Sequence, residues 1–92
     1  MSVEVKVSRY FFGGWTTESI TTKVSGGTVG QCLDNVVNQY PSLKTEILDN
    51  DGGVAAGARI FINGESAFPG ELARQVKDGD VIDIIPMQIS GG

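Results

Sequence analysis

Hydrophobic and polar residues alternate at the start of the chain. Val3, Val5 and Val7 stand between Glu4, Lys6 and Ser8, a period of two that predicts a half-buried strand from Val3 to Ser8. After a loop turning at Gly13-Gly14, Glu18 to Val24 reads as a second strand, so the two make a hairpin. The period then changes. Val29, Cys32, Leu33, Val36, Val37 and Tyr40 recur at the spacing of a single helical face, and Thr28 followed by Gln31 matches a capping box at its start. Pro41 either ends this helix or restarts a second turn through Leu43, Ile47 and Leu48.

Period two returns from Arg59 to Asn63, and Asn63-Gly64 is a tight-turn signal. Phe68 to Ala73 reads as short irregular structure that Phe68 and Leu72 pin to the core. Asp78-Gly79-Asp80 turns the chain into Val81-Ile82-Asp83-Ile84-Ile85, a strand rich in β-branched residues. Pro86 stops that strand because it cannot donate to the ladder. The order is strand, strand, helix, strand, short elements, strand. A hairpin joined to a right-handed crossover places the first and last strands side by side in the middle of a mixed sheet, with the helix across one face. This is an α+β, β-grasp arrangement. Alternation puts Ile60, Ile62, Ile82 and Ile84 under the helix and turns Phe61 and Ile85 to the opposite face, with Met87 following in phase.

With 92 residues the chain makes one domain, read as residues 1–87, followed by a flexible tail over 88–92. No apolar run approaches the ~20 residues of a membrane span, and the first residues lack the apolar core of a signal peptide. The expected location is the cytoplasm, with no membrane partner. A net charge of −4 and scattered basic residues argue against nucleic acid. An acidic chain of this kind suits a partner with a basic entrance.

One cysteine and no histidine exclude internal disulfides, histidine-based catalysis and the usual zinc sites, and no cofactor or metal is expected. Cys32 lies on the helical stripe, where a free thiol behaves as a small hydrophobe. Asp49 and Asp51 open a loop that superficially suits calcium, but Ile60 stands where an EF-hand needs its bidentate Glu. The aromatic loop Tyr10, Phe11, Phe12 and Trp15 has two readings, a cap on the core or an exposed patch for a partner.

The end of the chain carries the chemistry. After Pro86 come Met87-Gln88-Ile89-Ser90 and then Gly91-Gly92. Two residues without Cβ let a backbone thread a narrow channel and adopt whatever φ an enzyme site requires. A bare carboxylate delivered there is open to activation as an acyl-adenylate and capture by a nucleophile.

Arg59-Ile60-Phe61-Ile62-Asn63-Gly64-Glu65, Leu72-Ala73, Val76 to Pro86 and the final Gly91-Gly92 together resemble the MoaD/ThiS family of ubiquitin-like sulfur carriers. The D-G-D turn feeding an apolar strand, a proline and Gly-Gly is the most specific part of the likeness. The resemblance implies that an ATP-dependent adenylating enzyme activates the carboxylate of Gly92. Sulfur transfer then gives a thiocarboxylate that serves a sulfur-accepting synthase subunit in molybdopterin or cysteine biosynthesis. It also implies that Gly91, Ser90, Ile89, Met87, Ile85 and Phe61 contact partners. Family members commonly have three residues between the proline and Gly-Gly; here there are four, which shifts the register of the tail. A protein modifier joined through Gly92 to lysines shares the adenylate and is the alternative. A structural domain with an incidental tail is the third reading. An enzyme is not expected, since no catalytic set is present.

Overall fold

The computed structural model describes residues 2–12, 19–50 and 52–86. Its strands are β1 (Val3–Val7), β2 (Ile20–Val24), β3 (Ala58–Ile62), β4 (Glu65–Ser66) and β5 (Val81–Pro86). They form a single sheet in the order β2-β1-β5-β3-β4. β1 and β5 are parallel at its centre, with Val5 beside Ile82 and Val7 beside Ile84. β2 runs antiparallel to β1, and β3 runs antiparallel to β5. This is the β-grasp arrangement the order of elements implies.

Helix α1 (Val29–Gln39) crosses one face of the sheet. Thr28 caps it, with its Oγ1 accepting from the Gln31 N–H at 3.2 Å. The reciprocal half of the box is displaced by one residue, because Gln31 Oε1 accepts from the Gly27 N–H at 2.7 Å. Val29, Cys32, Leu33 and Val36 are buried on the stripe that the sequence period marks out, and Val37 and Tyr40 pack at its margin. Pro41 restarts the helical path. A 3-10 turn over Pro41–Leu43 leads into α2 (Lys44–Ile47), which places Leu43 and Ile47 in the core.

The inner face of the sheet supplies Val3, Val5, Val7, Ile60, Ile82 and Ile84, all buried. Each such side chain contributes about 1.5–3 kcal/mol by leaving water. Ile62 packs at the edge of the same cluster. Phe11, in a 3-10 turn over Arg9–Phe12, closes one end of the core. The cap reading therefore holds for Phe11. Tyr10 is 68% exposed, while Gly13, Gly14, Trp15 and Glu18 lie outside the described residues.

One expectation is overturned. Phe68 does not pin the chain to the core but stands 71% exposed, and Ala67 occupies the inward position instead. The reason is register: the Ala67 N–H donates to the Ile60 carbonyl at 3.0 Å, so Ala67 faces inward with Ile60 and its neighbour turns out. Phe68 precedes Pro69 through a cis peptide bond.

Candidate functional site: the end of the sheet where the chain leaves β5

Two ends of β5 matter, the one that anchors it and the one that releases the chain. At the anchoring end the D-G-D turn is structural. Asp78 Oδ1 accepts from the Ser2 N–H at 2.7 Å, the Gly79 N–H donates to the Ser2 carbonyl, and the Glu4 N–H donates to the Asp80 carbonyl. Asp80 is buried. Its Oδ2 accepts from the Lys77 N–H at 2.9 Å and its Oδ1 from the Asn63 amide at 3.1 Å. The Lys77 backbone bond, then the Asn63 amide, hold its carboxyl below the usual carboxylate range, with the charge of Lys77 adding to them.

Asn63 completes the lock. Its Oδ1 accepts from the Val81 N–H at 2.9 Å, and its own N–H donates to the Val81 carbonyl at 2.8 Å. The side chain can reach because Asn63 takes a left-handed conformation at φ 52°, followed by Gly64 at φ 86°. Positive φ at both central residues matches the twist of the flanking strands in a tight hairpin. Residues 17 apart in sequence thus seal β3 to the start of β5.

At the releasing end, Ile85 lies opposite Arg59 and Pro86 opposite Ala58 on β3. On the other side the Ser8 N–H donates to the Ile84 carbonyl at 3.0 Å, so the 3-10 turn from Arg9 begins beside the point where β5 ends. Ile85 is 39% exposed on the face away from the helix. Phe61 shares that face, half-buried, with Asp83 and Ser66 as its strand neighbours. Arg9 lies over the ring of Tyr10, 5.5 Å from its centroid. Beside β3 a cleft of about 330 Å³ is lined by Ala55, Ala58, Ile60, Phe68 and Glu71 among others. Of the residues that sequence reasoning singled out, Ile85 and Phe61 are thus brought together on the outer face. Met87, Ile89, Ser90, Gly91 and Gly92 lie outside the described residues.

The chemistry within the described residues is sparse. Cys32 is fully buried on the helix side, and burial pushes its thiol up, away from the reactive thiolate. No group of three or more His, Cys, Asp or Glu side chains among the described residues is placed to hold a metal. No described helix is long and apolar enough to cross a membrane. What the described residues present is a sheet whose last strand ends at Pro86, with Arg9, Tyr10, Arg59 and Ile85 exposed. Sequence reasoning missed the Asn63–Asp80 lock, the Arg9–Tyr10 pair and the outward turn of Phe68. The Asn-Gly and D-G-D signals marked both halves of the lock but not their meeting.

A β-grasp sheet with parallel central strands, a single main helix and a last strand running toward a Gly-Gly end defines the class of ubiquitin-like carriers and modifiers. The chain belongs to the ThiS family, whose model matches residues 9–92. It is 31% identical over 77 residues to small archaeal modifier protein 1 of Haloferax volcanii, covering 83% of this chain and 84% of that one. The crystal structure of the Haloferax protein superposes with a TM-score of 0.76 at 28% identity, over 100% of both chains. The Amycolatopsis orientalis BexX/CysO complex matches with a TM-score of 0.71 at 29% identity, covering 96% of this chain and 99% of that one. Members of this family are small carrier and modifier proteins rather than enzymes, and they work with protein partners.

Proposed function

We propose that the chain is a sulfur carrier whose reactive group is the Gly92 carboxylate. An ATP-dependent adenylating enzyme joins that carboxylate to AMP and releases pyrophosphate. A sulfur donor then displaces AMP, leaving a thiocarboxylate that gives up its sulfur to a synthase subunit, in molybdopterin or cysteine biosynthesis. In this reading residues 1–87 form the domain, and residues 88–92 enter the partner, with Met87, Ile89, Ser90 and Gly91 lining the approach. Ile85 and Phe61 dock beside them. The observation that carries the reading is the family match running through residue 92, beyond a last strand whose start is locked by Asn63.

A second reading is favoured by one specific finding, the 31% identity to a protein named as a small archaeal modifier. There the same adenylate is captured by a lysine of another protein, forming an isopeptide bond. Mass spectrometry of the protein purified from its own cells separates the two. A mass gain of sulfur for oxygen on the C-terminal peptide supports the carrier. Higher-mass conjugates that vanish when Gly92 is deleted, with no such gain, sink it in favour of the modifier.

A further inference from the structure

The sequence holds four asparagines, and Asn63 alone is followed by glycine. That pair carries a latent reaction of its own. A glycine nitrogen has no side chain crowding it, so it can attack the carboxamide carbon of the residue before it. At Asn63 a bond forms between the Gly64 nitrogen and Cγ, and Nδ2 leaves as ammonia with the proton that Gly64 gives up. The cyclic imide then takes up water and opens to aspartate or to isoaspartate.

The surroundings leave room for this. Asn63 and Gly64 are both exposed, and no atom lies within 4 Å of where a Cβ would stand on Gly64. What restrains the carboxamide is the lock. Oδ1 accepts from the Val81 N–H at 2.9 Å and Nδ2 donates to Asp80 Oδ1 at 3.1 Å, so both ends of the amide are fixed on the start of β5. Ring closure needs Cγ to swing over the Gly64 nitrogen, which breaks both bonds. Asp80 cannot follow, because it is buried and its Oδ2 is held by the Lys77 N–H.

The products cannot restore what was lost. A carboxylate accepts but does not donate, so it has no hydrogen to offer Asp80 and instead sets two carboxylates side by side, an arrangement that disfavours ionising both. Isoaspartate also lengthens the main chain by a methylene, and a hairpin sets its register by the length of its turn. We propose that Asn63 is a deamidation site that the lock holds inert: it converts when the start of β5 opens from β3, and each conversion keeps the lock from closing again. This chemistry is independent of the tail and of either reading of its function.

The test incubates the full chain at mildly alkaline pH, folded or unfolded in guanidinium chloride. The peptide bearing Asn63 is followed by mass for OH in place of NH2, with ammonia measured alongside. The unfolded chain is expected to convert about tenfold faster or more, because the folded rate is scaled down by the population of the open form. Two variants locate the gate: Asp80→Ala removes one partner of the carboxamide, and Val36→Ala loosens the core under the helix. Compared at denaturant concentrations that give equal global stability, Asp80→Ala is expected to convert severalfold faster. Equal rates in folded and unfolded wild type, or in the two matched variants, overturn the lock as the gate, and absence of conversion in the unfolded chain overturns the site. Asn63→Asp keeps the size of the side chain and tolerates a left-handed φ, and it is expected to lower the melting temperature by about 5 °C or more. A melting temperature equal to the wild type overturns the claim that the product cannot relock, and this variant and the wild-type comparison decide the matter even if Asp80→Ala does not fold.

Discussion

Replacing Asn63 tests whether the lock between β3 and β5 contributes in the way its geometry implies. Two separable losses are expected in Asn63→Ala. The first is conformational: an alanine at φ 52° meets the Cβ clash of the left-handed region, at about 1 kcal/mol or somewhat more. The second is the hydrogen bond from the Val81 N–H to Oδ1, which on an exposed site contributes about 0.5–1.5 kcal/mol. Loss of the Asn63 amide also removes one of the two groups that neutralise the demand of the buried Asp80. Asn63→Ala is therefore expected to cost about 2–3 kcal/mol, which in a domain of this size lowers the melting temperature by roughly 10–20 °C. Asn63→Gly removes the same side chain but tolerates the positive φ, so it is expected to cost about half as much. Thermal unfolding of the two variants beside the wild type, with urea titrations at one temperature, reads out both terms. Equal losses in the two variants would refute the conformational part, and an unchanged Asn63→Gly would refute the hydrogen-bonded part.

Asp80 has its carboxyl held below the usual range in the folded chain, so its contribution is fully present above the ordinary carboxylate pKa of about 4 and disappears as pH falls through the lower folded value. Melting temperature followed from neutral pH downward should stay level and then decline in acid, and Asp80→Asn should show a shallower acid limb; parallel curves would contradict this assignment. Gly26 has φ +157°, and a Cβ there would sit 3.0 Å from Gln31 Cβ and 3.1 Å from both the Cys32 nitrogen and its Sγ. Gly26→Ala is expected to cost about 2 kcal/mol by chemical denaturation, and wild-type stability in that variant would show that the helix start relaxes freely. Ile85, exposed by two-fifths, gains about 0.6–1.2 kcal/mol when a partner covers it, so Ile85→Ala should weaken adenylating-enzyme binding by about that much in calorimetry at unchanged stability. Phe61→Asp, at a half-buried position, should lose both binding and stability, and a variant that binds normally would move the docking face elsewhere.

Elements with a strong period were readable from the chain. Val3, Val5 and Val7 could only sit on a pleated surface with one buried side, and the stripe from Val29 to Tyr40 could only be a helix face. The parallel pairing of β1 and β5 followed from the handedness of the crossover. Short pieces were not readable. β4 has two residues, both exposed, and its existence depends on the Asn63-Gly64 turn folding Glu65 back onto Ile62. Arg9–Phe12 has no period of its own; Phe11 is buried because the core needs a cap at that end, while Tyr10 beside it is exposed. Phe68 misled because hydrophobicity alone does not say which way a residue points when the register is set by a neighbour, here Ala67 bonded to Ile60. The candidate site was legible as a face, since alternation sends Ile85 and Phe61 away from the helix. Its surroundings were not, because Arg59 and Ser8 come to the end of β5 through strand pairing between positions distant in sequence.

The parallel centre of the sheet has a mechanical meaning. Force drawn through the end of β5 while the start of β1 is held, as when an unfolding machine hauls on a chain through its tail, pulls the two strands lengthwise past each other. The bonds between Glu4 and Val81 through Val7 and Ile84 then carry the load together instead of peeling one at a time. Resistance to such pulling is a rate, set by the barrier to forced separation and not by equilibrium stability. A chain grasped at this point is built to survive the grip.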